Sequence, residues 1–396
     1  MKIAWVETAR LPAHPSYLWV RVGTDEGLIG TGETMPRVQA VERVVHEVLA
    51  PLLIGADAAP EAVWERAFRA IAYHGYAGAE LRALSAVDIA LWDLLGRRSG
   101  MPVHRLLGGP CRERVPVYNT CVSAGSVRDH ERFLSEPGAL ARELADAGYT
   151  AMKIWPFDEL SVASLGQRLD ATQLRQALRV FTEIRDTVGD DIEVALEGHS
   201  CWNLPSAVRI AQELEPYSPL WLEDLMPATD PRPWRQLKEQ TSTPVCGSER
   251  LFTRYQVLPF LEGGAVDLVK QDVAWTGGIT ELRKIAALAE QFQRGLTPHN
   301  CLGPVGAAAS LHLAAAVPNL YLMESVRAFS TGFHRELVDD APTITDGHLP
   351  VTEKPGLGVE LRESVLATAT TVRTDAAGAR GWAEGDPWTG SLGDRV

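Results

Sequence analysis

The chain has 396 residues, enough for one large domain and a smaller one. Hydrophobic residues make up 45% and charged residues 22%, the balance of an ordinary globular protein. The net charge of −13 argues against nucleic acid and anionic membrane as partners.

Met1 to Glu7 reads as a strand, not as a signal peptide. Tyr17 to Val22 is a second strand, Asp25-Glu26-Gly27 a hairpin turn, and Leu28 to Glu33 the return strand. Helical periodicity runs over Val38 to Leu53 and Ala62 to Ile71. From Ala79 to Gly96, Leu81, Leu84, Val87, Leu91 and Leu95 recur at spacings of three and four, with Gly96 or Gly100 as the stop. Residues 1–115 are thus expected to form an α+β cap.

From Val115 the pattern changes. Val115 to Tyr118 reads as a strand and Ala139 to Ala147 as a helix stopped by Gly148. Tyr149 to Ile154 is the next strand, and Thr172 to Val188 a helix ended by Gly189. Alternating β and α with short links implies parallel strands and right-handed crossovers. A barrel over 116–354 is favoured over a doubly wound sheet, because no Gly-x-Gly-x-x-Gly follows a first strand. Pro355 to Leu366 reads as a strand returning to the cap, and residues 367–396 as a loosely packed tail.

Along the barrel segment an acid or base ends each short apolar run: Lys153, Glu197, Glu223, Glu249, Asp272, His299 and Glu324. From Glu197 onward they fall 23 to 27 residues apart, close to one strand–helix unit of a barrel. Strand C-termini open on one barrel face, so these side chains are expected around one mouth. Three bare carboxylates there, Glu197, Glu223 and Glu249, repel one another unless a cation binds, and all-oxygen ligands suit Mg²⁺. Asp272 beside His299 orients the imidazole as a general base. Lys153 can bind a substrate carboxylate or serve as a second base. His199, two residues past Glu197, can face the same cavity. Glu324, if protonated, can donate a hydrogen bond to an oxyanion. The parts suit removal of a proton α to a carboxylate, with a metal stabilising the enediolate.

Five motifs carry a family resemblance: Leu84 to Gly96, Pro102 to Gly109, Gly148 to Lys153, Trp275 to Glu281, and Thr297 to Asn300. Over nearly its whole length the chain resembles the mandelate racemase/muconate lactonizing enzyme branch of the enolase superfamily. The resemblance implies a modified TIM barrel, (β/α)7β, under an α+β cap formed by the N-terminal region and a C-terminal segment, 355–396. It implies Mg²⁺ on Glu197, Glu223 and Glu249, an Asp272–His299 base, and Glu324 near the substrate carboxylate. Two positions depart from the family pattern. Glu197 stands where Asp is usual, which keeps the charge and lengthens the ligand by a methylene. Trp155 stands where a second lysine often serves as the opposing base, which disfavours racemisation.

His199 occupies the slot of a general acid in acid-sugar dehydratases, so the chain is similar to the galactonate dehydratase type. Cap loops are implied to close the site, one with His14, Ser16 and Tyr17, the other with Tyr73, His74 and Tyr76. Trp155 is a candidate sugar platform. The expected activity is Mg²⁺-dependent dehydration of an acid sugar, a carbon–oxygen lyase (hydro-lyase) reaction giving a 2-keto-3-deoxy acid. The alternatives are a racemase, epimerase or cycloisomerase working through the same enediolate, and a catalytically silent binding barrel. A homo-oligomer, dimeric or a larger even assembly, is implied.

The five cysteines, Cys111, Cys121, Cys201, Cys246 and Cys301, are odd in number, far apart and without a CxxC. That argues against a disulfide framework or a thiolate metal site, and for a reducing compartment. No uninterrupted apolar run approaches the roughly 18 residues of a membrane span. A cytoplasmic enzyme is expected.

Overall fold

The computed structural model describes residues 1–73 and 75–378. The cap sheet begins with β1 (Ile3–Arg10), β2 (Leu18–Thr24) and β3 (Ile29–Thr34), paired antiparallel in chain order. Helical chain over 38–53 and the helix Pro60–Ala72 pack on it, and the helix Ala79–Ser99 fills its core. That last helix ends at Gly100, whose φ of 67° is the left-handed conformation a glycine C-cap supplies. Gly96 lies inside the helix instead, where a Cβ would collide with the Gly356 backbone at 2.6 Å.

Eight parallel strands follow: β4 (Arg114–Thr120), β5 (Ala151–Ile154), β6 (Glu193–Glu197), β7 (Leu222–Glu223), β8 (Val245–Gly247), β9 (Leu268–Val269), β10 (Gly295–Leu296) and β11 (Met323–Ser325). They pair in order from β4 to β10, and β11 pairs with β4. Hydrogen bonds from Leu296 N to Asn319 O and from Tyr321 N to Leu296 O join the remaining edges and close the ring. A helix follows each of the first seven strands, from Pro137–Asp146 to Pro304–Ala316, which is the (β/α)7β pattern. Several helices start on side-chain caps. Asp170 and Gln173 form a capping box, and Asn203 and Asp230 accept from first-turn amides. A short strand, β12 (His348–Pro350), runs antiparallel beside β4. Among the described residues no helix is long and apolar enough to cross a membrane.

The C-terminal segment corrects two expectations. Residues 355–366 do not form a strand. Leu357, Val359 and Leu361 are buried in alternation, which imitates a strand pattern, but Gly356 and Gly358 take φ of 72° and 70° and Glu363–Leu366 is helical. The strand that returns to the cap is β13 (Thr370–Asp375), paired antiparallel with β1 from Arg10↔Thr370 to Trp5↔Asp375. It lies in the stretch expected to be a loose tail; residues 379–396 lie outside the described part.

Cap and barrel meet through buried polar contacts. Ser85 Oγ accepts from Gly277 N at 2.9 Å, Asp88 accepts from Thr280 N at 2.9 Å, and Trp92 Nε1 donates to Thr280 Oγ1 at 2.8 Å. Gly278 is required there: its φ is +80°, and a Cβ would lie 2.3 Å from the Asp88 carboxylate. Asp93 accepts from Thr31 N and Leu357 N and pairs with Arg97, tying β3 and the C-terminal segment to one helix.

Candidate active site

Register brings the ladder of acids and bases together. Glu197 lies beside Glu223 in the β6–β7 pairing, and Asp272 bridges to His299 just past β9 and β10. Carboxylate oxygens of Glu197, Glu223 and Glu249 all lie within 4.8 Å of one another, and all three residues are buried. Lys153, from β5, donates to Glu223 Oε1 at 2.6 Å and Glu197 Oε2 at 3.1 Å, and lies 3.0 Å from Glu324 Oε1. Despite burial, Glu223 and Glu324 hold its ammonium well above the usual lysine range.

His299 faces the same ring. Its Nδ1 is 2.6 Å from Asp272 Oδ2, and its Nε2 is 3.2 Å from Glu249 Oε2 and 3.8 Å from Glu324 Oε2. Burial lowers the imidazole pKa, but Glu249, Glu324 and Asp272 outweigh it and raise it above the usual histidine value. Glu324 thus lies between lysine and imidazole. It also accepts from Asn300 N at 2.8 Å and from Thr120 Oγ1. Burial alone would protonate it; Lys153, Lys270 and His299 push it well below the usual carboxylate range. In this structure both Glu324 carboxylate oxygens accept hydrogen bonds.

His199 points into the opening from the loop after β6. Residues 199 and 200 take φ of 44° and 62°, and His199 N donates to Glu197 Oε1 at 2.7 Å. Its Nδ1 is 2.5 Å from Asp158 Oδ2. Burial opposes the charge, but Glu197 and Asp158 raise the pKa to about 9. Trp155 meets His199 edge-on at 5.6 Å, while His130 stacks on its ring at 5.5 Å. The indole therefore braces His199, and one of its faces is covered.

His14 and Tyr17 pack on Phe333, at 5.0 and 5.4 Å. Tyr17 is buried, and burial together with Glu33 and Cys301 raises its phenol. Tyr73 is 58% exposed at the end of its helix, and Tyr76 packs on Phe68. His74 lies outside the described residues.

Several site residues were missed. Lys270 is fully buried, 3.3 Å from Glu223 Oε2 and 3.7 Å from Glu324 Oε2. It stands two residues before Asp272, and the two-residue period of a strand was the available signal. Asp158 carried none, because it opens a short helix, Asp158–Ser161, in the link after β5 and ends no strand. Asp224 accepts from Ser248 Oγ at 2.8 Å, and Cys301 lies with His299 and Glu324 within 4.8 Å.

Residues 137–365 match the family described as enolase C-terminal domain-like. Residues 6–108 match the mandelate racemase/muconate lactonizing enzyme N-terminal domain. The chain belongs to the mandelate racemase/muconate lactonizing enzyme branch of the enolase superfamily. Among similar members, a D-galactonate dehydratase of Pectobacterium atrosepticum is 35% identical over 374 residues, 92% of this chain and 94% of that protein. One from Xanthomonas oryzae is 34% identical over 385 residues, 93% and 94% of the two chains. Among solved structures, an enolase of the mandelate racemase subgroup from Agrobacterium tumefaciens matches with a TM-score of 0.88 at 39% identity, covering 96% of this chain and all of that one. An enolase from Sargasso Sea environmental sequence matches at 0.87 and 40% identity, covering 94% and 99%.

Proposed function

We propose that the protein is an acid-sugar dehydratase, a hydro-lyase that depends on Mg²⁺. The observation that carries this reading is the placement of two histidines, His299 on Asp272 and His199 on Asp158, around one cluster of three buried carboxylates.

The donor set fits a hard divalent cation. Glu197, Glu223 and Glu249 offer oxygen only, and their mutual repulsion is offset in this structure by Lys153 on two of them, Lys270 on Glu223 and His299 on Glu249. These residues would hold Mg²⁺, which would supply positive charge to the carboxylate end of the substrate as its α-proton leaves.

The chain's own groups do the proton chemistry. His299 takes the α-proton at Nε2, with Asp272 fixing the ring through Nδ1. Glu249 would be a ligand and is also, with Glu324 and Asp272, a neighbour that raises the His299 imidazole. Lys153 stands where the substrate carboxylate meets the ligand cluster. His199, kept protonated beside Asp158, delivers a proton to the leaving β-hydroxyl, and the enol becomes a 2-keto-3-deoxy acid. Each proton transfer of this kind contributes about 10²–10⁴-fold. Trp155 leaves no second lysine on β5, which supports elimination over racemisation.

The test is a screen of acid sugars with Mg²⁺, reading 2-keto acids, with an EDTA control. A metal-dependent hit that disappears in His299→Asn, with the variant still folded, is expected. Turnover by His299→Asn would sink the assignment of the base. Solvent exchange of the α-proton without loss of water would transfer the reading to an epimerase or cycloisomerase.

A further inference from the structure

The opening above the ring is not walled by barrel residues alone. Arg82, on the cap helix Ala79–Ser99, lies within electrostatic reach of Asp272 and Glu249 in the ring. Its guanidinium lies 4.8 Å from the Trp275 ring centre, and Trp275 lies 4.9 Å from the His299 imidazole. Phe252 flanks it at 5.8 Å. Nε–H donates to the Met35 carbonyl at 3.1 Å, which fixes the plane of the fork. Among the described residues its Nη groups have no hydrogen-bond acceptor, and no carboxylate stands within ion-pair distance. Burial lowers its pKa, and the fields of Asp272 and Glu249 reach it from the ring.

Two further arginines lie nearby, one beside the ring and one beside Arg82. Arg250 lies 3.9 Å from both Glu249 Oε1 and Asp224 Oδ2. Arg37 is close enough to Arg82 to disfavour its charge. A chain of net charge −13 has gathered three cations here. A guanidinium held by Nε and stacked on an indole leaves a planar pair of donors, the shape that takes a carboxylate in two hydrogen bonds. The reacting carboxylate belongs at Lys153 and the ligand cluster, whereas Arg82 lies over Trp275 and pairs with none of those groups. An anion at Arg82 must therefore come from the other end of the substrate.

We propose that the site takes sugar diacids, and that Arg82 selects them over monoacids by binding the distal carboxylate. This rests on the acid-sugar reading of the site. It departs from the D-galactonate dehydratases above, whose named substrate has a single carboxylate. The competing role for Arg82 is structural, holding the Met35 carbonyl in place.

The experiment uses aldarate and aldonate pairs matched in chain length and configuration. Turnover with Mg²⁺ is measured in the unmodified protein, and binding by calorimetry in His299→Asn, which needs no chemistry. Aldarates are expected to lead their partners by about 100-fold or more, since a polar site left unpaired rejects the lesser ligand strongly. Arg82→Met should collapse that ratio. Arg82→Lys, which keeps the charge and loses the fork, should restore part of it. Aldonates that bind as well as aldarates overturn the proposal, as does an Arg82→Met protein that keeps the preference. If Arg82→Met does not fold, Arg82→Lys decides: an undiminished ratio there overturns it. If aldarates bind through Arg82 and none loses water, the dehydratase reading fails and this inference stands.

Discussion

Lys153 shows how much of the site rests on single charges. Its ammonium faces Glu197, Glu223 and Glu324 and is 3% exposed. Removing one partner from a buried ionic cluster leaves the others uncompensated and costs about 3–5 kcal/mol. Lys153→Met is therefore expected to melt well below the unmodified protein in EDTA. Mg²⁺ should recover more of that loss in the variant than it adds to the unmodified protein. Equal melting of both proteins in EDTA would show that the cluster protonates instead of bearing its charge. The same residues mark what sequence could reveal. Lys153, the three glutamates, Asp272, His299 and Glu324 were legible because each ends an apolar run, and a strand end fixes where its side chain goes. Asp158, Arg82 and Arg250 were not, because links between strands and a separate domain deliver them, and no local period encodes that.

At the scale of elements, the cap helix reads as a docking device. Its Ser85, Asp88, Trp92 and Asp93 each hold a backbone or side chain of another segment, which is why its motif and Trp275 to Glu281 stand together. β13 was illegible for the opposite reason. Five of its six residues are exposed, so no apolar alternation announces it. A third junction carries a prediction. His312, on the helix Pro304–Ala316, is 1% exposed and lies 3.1 Å from Leu357 O through Nε2 and 3.1 Å from His104 Nδ1 through its own Nδ1. Glu353 stands 3.7 Å from His104 on the far side. Burial lowers the His312 pKa to about 4 against an ordinary 6.5. A neutral buried imidazole stabilises fully above the unfolded pKa, and that stability is lost as pH falls from about 6.5 toward 4. The whole loss amounts to about 3 kcal/mol. Urea midpoints measured from pH 7.5 to 4.5 should fall less steeply in His312→Gln. Parallel slopes would place the acid sensitivity elsewhere.

For the whole molecule, the carboxylate ring and the net charge of −13 make opposite demands on a divalent cation experiment. A ligand that binds only the folded state stabilises it by about 2.7 kcal/mol at 100 times its Kd. Mg²⁺ at millimolar concentration should then raise the melting temperature by several degrees, and EDTA should reverse the rise. An acidic chain also gains from simple screening, which any salt supplies over a Debye length of about 10 Å at 0.1 M. The two causes separate by variant and by salt. Site binding predicts saturation, little response to sodium chloride of equal ionic strength, and loss of the rise in Glu249→Gln, where one of three ligands loses its charge. Screening predicts an unsaturated rise that sodium chloride reproduces and Glu249→Gln keeps. Only the first outcome ties the stability of the barrel to the glutamates at its mouth.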